Sequence, residues 1–315
     1  MKRLSFMLSV LLIAAVAAPA QRHKLTSINA ETPEGQLLQS IGTEQDPAKK
    51  LELMEKFAAQ YPKHEAAGWV LSQMQQAYIN SGNIDKALST GEALLAMDPD
   101  DTDTAYANLK AAEKKQDPDA ILKWSTATSN AARKTAGGSK PADMDEATWK
   151  QMVDYAKQVD TYTEYALSAA VLQTSDPNKI VMLTEALEQR NPNSQYLAQA
   201  LSKFAAAARQ ANQLDKATAL GDRALARNQT NDDLLLLMAD TALNRKQPDR
   251  VIVYTTKLIE LSSSQTKPQG ISDADWQKKR DTTLGLAYWM QGITLAGQNK
   301  FAQADKSLRA ALPLI

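Results

Sequence analysis

Residues 68–101 read GWVLSQMQQAYINSGNIDKALSTGEALLAMDPDD, and this stretch decides the fold of the chain. Its apolar residues recur every three or four positions on both sides of Ser81-Gly82-Asn83, which is typical of two amphipathic helices separated by a tight turn. Asp98-Pro99 ends the second helix, because the residue before a proline is held away from the helical conformation. The stretch therefore predicts one helix-turn-helix unit.

The spacing of the key residues in this unit resembles that of a tetratricopeptide (TPR) repeat. The large apolar, aromatic, glycine, alanine and proline residues of that repeat stand at places 4, 11, 15, 20 and 32, and are here Leu71, Tyr78, Gly82, Ala87 and Pro99. The resemblance implies an all-α fold, a right-handed superhelical solenoid of antiparallel helix pairs.

The unit departs from the TPR pattern at two places. Gln75 stands at the eighth place, which is usually small, and Gly91 stands at the twenty-fourth, which is usually aromatic. These two residues predict looser helix packing than in a standard repeat.

Weaker copies of the unit cover most of the chain. Three keep part of the pattern, and two more keep only the helix-turn-helix, with Pro118 and Pro248 at the favoured first position of each second helix. A further partial unit spans residues 33–62. The better copies run near 161–194, 198–231 and 285–315, and the weaker ones near 102–135 and 232–265.

A second, longer period lies over the short one. Four pairs of matching motifs are separated by the same number of residues. They are Asp46-Pro47 and Asp176-Pro177, Pro62 and Pro192, Asp85-Lys86-Ala87 and Asp215-Lys216-Ala217, and Pro118 and Pro248. We infer that residues 33–315 form a TPR-like solenoid built from a duplicated block, roughly 33–160 and 161–315.

Each block contains a similar connector. Lys140-Pro141 and Trp149 in one block match Lys267-Pro268 and Trp276 in the other. After the first connector, apolar residues at helical spacing from Met144 to Thr174 predict a helix that is too long for a standard repeat and projects beyond its neighbours.

The two ends of the chain carry unusual apolar segments. Lys2 and Arg3, an uncharged run to Ala18 and the motif Ala18-Pro19-Ala20 are typical of a cleaved signal peptide at residues 1–20. Residues 21–32 are predicted to be a poorly ordered extension. The last residues, AALPLI, leave an apolar face at the end of the solenoid, so the sequence continues or this end docks on another chain.

Composition argues against several classes of partner. Without Lys2 and Arg3, 34 basic residues remain against 36 acidic ones, so no excess positive charge favours nucleic acid or anionic membranes. No segment after the signal is long and apolar enough to span a membrane. The chain has no cysteine, which excludes disulfides and thiolate chemistry.

No catalytic or metal-binding pattern is apparent. The two histidines, His23 and His64, have no nucleophile or second ligand at helical spacing, so surface or turn roles are expected. The acidic stretch from Asp98 to Asp103 lacks the glycine and glutamate of a calcium loop, and we interpret it as a turn that caps the next helix. We expect no enzyme activity, no cofactor and no metal.

The TPR resemblance also implies where a ligand would bind. Family members bind partners along a groove lined by the first helix of each pair, and the lysine and asparagine clamp of chaperone-tail receptors is absent here. Aromatic groove residues suit a protein partner that presents an amphipathic helix or an extended peptide. The groove positions carried over from the family are Trp69, Gln76, Ile79, Tyr162, Tyr165, Arg209 and Trp289.

These features predict an exported bacterial protein, periplasmic or secreted, that acts as a non-catalytic interaction scaffold or adaptor of the cell envelope. Two alternatives stay open. The chain could be the non-catalytic front of a longer enzyme or secretion component, or a helical module that binds glycans through its aromatic faces.

Overall fold

A computed structural model describes His23, Leu25 and residues 28–227, 231–267 and 269–315 of the chain. Within these residues the backbone forms fourteen α-helices and no strand, so the predicted all-α class is confirmed. The predicted signal peptide at residues 1–20 lies outside the described residues. The helices are α1 (Pro33–Thr43), α2 (Pro47–Gln60), α3 (Ala67–Ser81), α4 (Ile84–Met97), α5 (Thr102–Lys115), α6 (Pro118–Gly137), α7 (Glu146–Gln173), α8 (Pro177–Arg190), α9 (Leu197–Gln210), α10 (Leu214–Arg227), α11 (Asp232–Asn244), α12 (Pro248–Ser264), α13 (Asp273–Gly297) and α14 (Phe301–Ala311).

The starts of the helices follow from local sequence. Asp46, Asp117 and Asp176 cap α2, α6 and α8 by accepting hydrogen bonds from backbone N–H groups of the first turn. Each of these aspartates is followed by a proline at the first helical position, where the missing N–H costs nothing. These three X-Pro steps are therefore helix starts.

Consecutive helices pack against one another from α1 to α6 and again from α8 to α14. Short connections make such neighbours antiparallel, as in α3 with α4, α5 with α6 and α9 with α10. The chain divides into two compact units, one ending at Thr163 and the other starting at Glu164, with the boundary inside α7. The predicted antiparallel helix pairs are present in both units, whereas the right-handed superhelix through the whole chain stays a prediction.

The backbone repeats with the longer period seen in the sequence. Helices α8 to α12 repeat helices α2 to α6 in order. Each of them begins the same number of residues after its counterpart, and this number is the one that separates Pro177 from Pro47. The turn residues also correspond, since Gly82 and Asn212 both have positive φ, as do Gln116 and Lys246. Two turns that require the left-handed backbone conformation thus recur at the same places in both blocks. The residue in this conformation is Gly or Asn in the first turn and Gln or Lys in the second.

The two connectors lead into the longest helices. α7 has 28 residues and α13 has 25, against 14 in α5. The long helix expected from Met144 to Thr174 is therefore confirmed.

The buried space beside Gly91 explains why the first TPR-like unit departs from the usual pattern. A Cβ atom on Gly91 would lie 2.2 Å from Asn108 Oδ1 and 2.4 Å from Gln75 Nε2. These two buried side chains are paired, because the Gln75 amide donates to Asn108 Oδ1 at 2.8 Å. The long Gln75 thus fills the volume that the missing side chain of Gly91 leaves, and the prediction of looser packing here is wrong.

The second unit fills the same place with different residues. The positions that correspond to Gln75, Gly91 and Asn108 in the duplicated block are Ala205, Gly221 and Met238. A Cβ atom on Gly221 would lie 1.9 Å from Met238 Sδ, so the thioether takes the place of the amide pair. One apolar side chain and one small residue therefore replace two polar ones around a glycine common to both units.

The C-terminal residues fold back onto α13. A Cβ atom on Gly285 would lie 2.5 Å from Ile315 Cγ2 and 3.1 Å from Leu314 Cβ, so the end of the chain contacts this glycine. Leu312 and Ile315 are nevertheless 70% and 66% exposed. The apolar surface expected at this end is present, although Leu314 is half-buried against the protein.

Candidate binding surface

The first helices of successive pairs lie side by side. In the second unit α11 contacts both α9 and α13. In the first unit the Gln75–Asn108 hydrogen bond joins α3 to α5, and Tyr106 of α5 meets Tyr162 of α7 with ring centroids 5.4 Å apart. In the first unit we call the outward side of α3, α5 and α7 up to Thr163 the first-helix face. In the second unit the first-helix face is the outward side of the rest of α7 and of α9, α11 and α13.

Trp69 and Ile79 are half-buried on α3. Both pack against the apolar cluster that α1 to α4 build around Phe57 and Val70. Gln76 is exposed and its amide donates to Asn80 Oδ1 at 3.0 Å. Of the three groove residues predicted in the first unit's clear repeat, only Gln76 is thus largely open to solvent, and a ligand role for all three stays a prediction.

Tyr162 belongs to a cluster of polar and aromatic side chains. Its hydroxyl donates to the Glu113 carboxylate at 2.9 Å and accepts from Lys110 Nζ at 2.5 Å. Lys110 also lies 4.6 Å from the centroid of the Tyr162 ring and 2.5 Å from Glu113 Oε2. Because the phenol, the ammonium and the carboxylate satisfy one another, Tyr162 is held in place while remaining half-exposed.

Tyr106 and Tyr155 complete the aromatic part of this cluster. Both pack against the small apolar core of Ala132, Ala156 and Val159. Sequence reasoning missed Tyr106, Lys110 and Glu113, although their helical spacing places them on one side of α5. Their link to Tyr162, which lies two helices further along the chain, depends on tertiary packing.

Four tyrosines of the protein are expected to ionise at a higher pH than a free phenol. Burial raises the pKa of Tyr106, Tyr155 and Tyr254, and burial together with the Glu55 carboxylate raises the pKa of Tyr78. A raised folded-state pKa stabilises the fold below the unfolded-state value of about 10, and this contribution is lost as pH rises through the folded-state pKa.

A spectrophotometric titration of the phenols tests this expectation. Of the nine tyrosines, these four should remain protonated above about pH 10 until the helical signal is lost. Smooth titration of all the phenols near pH 10, with the helix content intact, would contradict the burial described above.

Tyr165 is the most exposed aromatic residue of the predicted groove set, at 46%. It lies on α7 just past the unit boundary and contacts Tyr196 edge-on, with centroids 5.7 Å apart. An edge-to-face pair fixes the orientation of a ring without burying it. Tyr165 thus offers an open, oriented aromatic surface in the second unit.

Arg209 is paired across the first-helix face. Its guanidinium contacts Asp240 Oδ2 on α11 at 2.6 Å through Nη2 and at 2.8 Å through Nε. Two nitrogens on one carboxylate oxygen hold the side chain along the face. The structure thus places Arg209 on the face but gives it a partner within the protein.

Trp289 lies on α13 and is 40% exposed. Leu286 and Ile293, three residues before it and four after it, are half-buried and share its side of the helix. These three side chains form an apolar stripe along α13 in the second unit.

The acidic stretch from Asp98 to Asp103 caps a helix, as predicted. Asp101 accepts from the backbone N–H of Asp103 and Thr104, and Asp100 pairs with Lys134. No group of three histidine, cysteine or acidic residues is arranged to hold a metal ion in the part of the chain that the structure describes. A search of those same residues finds no helix with the length and hydropathy needed to cross a membrane.

The two histidines lie in a bend and a turn, and each contacts the protein. His64 occupies the turn before α3, where its Nδ1 accepts from Ala66 N at 3.1 Å, as expected of a turn residue. His23 lies in a bend, and its side chain is only 17% exposed because it docks against Gly68 of α3.

Comparison with known proteins gives structural matches only. No protein-family model matches the chain, and no curated protein matches its sequence. Three similar solved structures are the C-terminal part of a TPR repeat-containing protein from Cytophaga hutchinsonii, a thermophilic TPR protein from Thermus thermophilus, and the assembly chaperone of RpL4 (Acl4).

Their sequence identities are 14%, 15% and 11%, and their TM-scores are 0.37, 0.25 and 0.34. The matches cover 89%, 81% and 87% of this chain and 93%, 99% and 100% of the matched chains. Two of the three are thus described as TPR proteins, and all three are distant in sequence.

Proposed function

We propose that the chain is a non-catalytic interaction scaffold or adaptor of the TPR type, exported to the bacterial cell envelope, which binds a peptide or helix of another protein on its first-helix face. The observation that carries the proposal is the display of aromatic side chains on first helices. Tyr165 and Trp289 are 46% and 40% exposed although they sit on helices whose other faces are packed.

Exposed aromatic side chains are well suited to bind a protein partner. Large rings bury much apolar area while losing little conformational entropy, so exposed Tyr and Trp are typical anchors of protein interfaces. An exposed ring in solution also leaves apolar surface in water, which a partner can cover. The absence of a catalytic motif and the signal-like start of the sequence motivate the non-catalytic and exported parts of the proposal.

A photo-crosslinking amino acid placed at single positions in the native cells tests the proposal. With the crosslinker in place of Tyr165 or Trp289, we expect covalent adducts with a partner protein. Val253 is the control position, since it is 50% exposed on α12, the second helix of its pair, and a crosslinker there should give several-fold fewer adducts. The N-terminal residue of the recovered chain tests export in the same sample, with Gln21 expected. Equal adduct yields at all three positions, or none at the first-helix positions, would contradict the proposed surface.

A further inference from the structure

The N-terminal segment is anchored on α3 by His23. A Cβ atom on Gly68 would lie 2.5 Å from His23 Nδ1 and 3.0 Å from its Cγ, so the imidazole rests on bare helix backbone. Any larger residue at position 68 would displace the ring. Gly68 thus provides a space that His23 fills.

The other side of the ring faces a fixed carboxylate. His23 Nε2 lies 3.6 Å from Asp101 Oδ2, and the Asp101 side chain is only 8% exposed. Asp101 is held by hydrogen bonds from Thr104 Oγ1 at 2.6 Å and from two backbone N–H groups at the start of α5. We call the space bounded by Gly68 and Asp101 the His23 slot.

Two further features favour the same docked position. Leu25, two residues after His23, packs against the apolar cluster of α1 to α4. In sequence, His23 is flanked by Arg22 and Lys24, whereas residues 98–103 contain four aspartates. Burial of Leu25 and the opposite charges of the two stretches of sequence therefore both favour docking of the N-terminal segment on the first unit.

The second unit lacks the slot although its backbone repeats the first. The positions that correspond to Gly68 and Asp101 in the duplicated block are Ala198 and Asn231. Asn231 caps α11 by accepting from Leu234 N at 3.0 Å, and it carries no charge. The space and the carboxylate are thus specific to the first unit, whereas helix capping is common to both.

We propose that His23 and Leu25 act as a built-in ligand of the first unit, docked through the His23 slot, and that they tie α3 to the start of α5. The slot binds a histidine followed two residues later by an aliphatic side chain, and the chain itself supplies both. Release of His23 uncovers the Asp101 carboxylate beside the Gly68 backbone.

The two histidines of the full chain provide a direct test, because ¹³C labelling at their Cε1 atoms gives one NMR signal from each. His64 is the internal control, since it packs edge-on against Phe57 with centroids 5.5 Å apart. In the parent protein both signals should have the broad line width of the folded protein. In Gly68→Ala the His23 signal should narrow by about threefold or more, because a released segment moves on the nanosecond timescale.

Asp101→Asn is the matched second variant, since asparagine caps helices as well as aspartate does and is the residue found in the second unit. It should also narrow the His23 signal, while the His64 signal stays unchanged in both variants. If Gly68→Ala fails to fold, both signals narrow and Asp101→Asn decides. A His23 signal that is narrow in the parent, or unchanged in both folded variants, would overturn the proposal.

Discussion

Gly221→Val is expected to lower the free energy of unfolding by about 3 kcal/mol. The new Cβ would lie 1.9 Å from Met238 Sδ and 2.9 Å from Met238 Cε, in a place where both residues are buried. Closely packed cores resist added atoms, because a neighbour must leave its preferred rotamer or the backbone must shift. The midpoint of urea unfolding, followed by helical circular dichroism, measures the loss.

Gly42→Val is the matched control for this substitution. Gly42 lies in α1, and a Cβ atom there meets nothing within 4 Å. We expect a change within about 0.5 kcal/mol, the usual range for exposed positions. Equal midpoint shifts for the two variants would show that valine in a helix, and not contact with Met238, causes the loss.

Asn108→Met is expected to destabilise the first unit by about 3 kcal/mol. Asn108 is fully buried, and the substitution leaves the Gln75 amide without its partner while placing a thioether where that amide lies. The Asn108 amide also donates to Leu88 O at 3.3 Å, and this bond is lost as well. Steric conflict and an unpaired buried amide act in the same direction.

Adding Gln75→Ala to Asn108→Met should recover most of the loss. The double variant gives the first unit the residues that the second unit has around Gly221, namely Ala205 and Met238. Urea unfolding of both single variants and the double variant measures the coupling. If the two losses simply add, the space beside Gly91 is not filled in the way that the structure shows.

The fold could be predicted largely because its signals are local. X-Pro steps such as Asp46-Pro47 and Asp117-Pro118 combine a cap with a permitted proline, so they mark helix starts without knowledge of the tertiary structure. Packing was less predictable. Gln75 and Gly91 looked like two separate departures from the repeat, because nothing in the sequence shows that their side chains share one volume.

The surface could be predicted only in part, since helical spacing gives the face of a residue but not its neighbours. Tyr165 and Trp289 lie exposed on first helices, and helical spacing was enough to select them as surface candidates. Trp69 instead packs on the apolar cluster, and the Lys110–Glu113 pair beside Tyr162 appears only when α5 meets α7. The contact of His23 with Gly68 was not predicted for the same reason, because residues far along the chain form its site.

The most direct test of the account is the affinity of a partner recovered by crosslinking. Its dissociation constant should rise by about tenfold or more with Tyr165→Ala or Trp289→Ala, the loss expected when an anchor residue is truncated. Val253→Ala on α12 should leave the dissociation constant unchanged. Equal affinity for the parent and both first-helix variants, with weaker binding by Val253→Ala, would contradict the first-helix face as the binding surface.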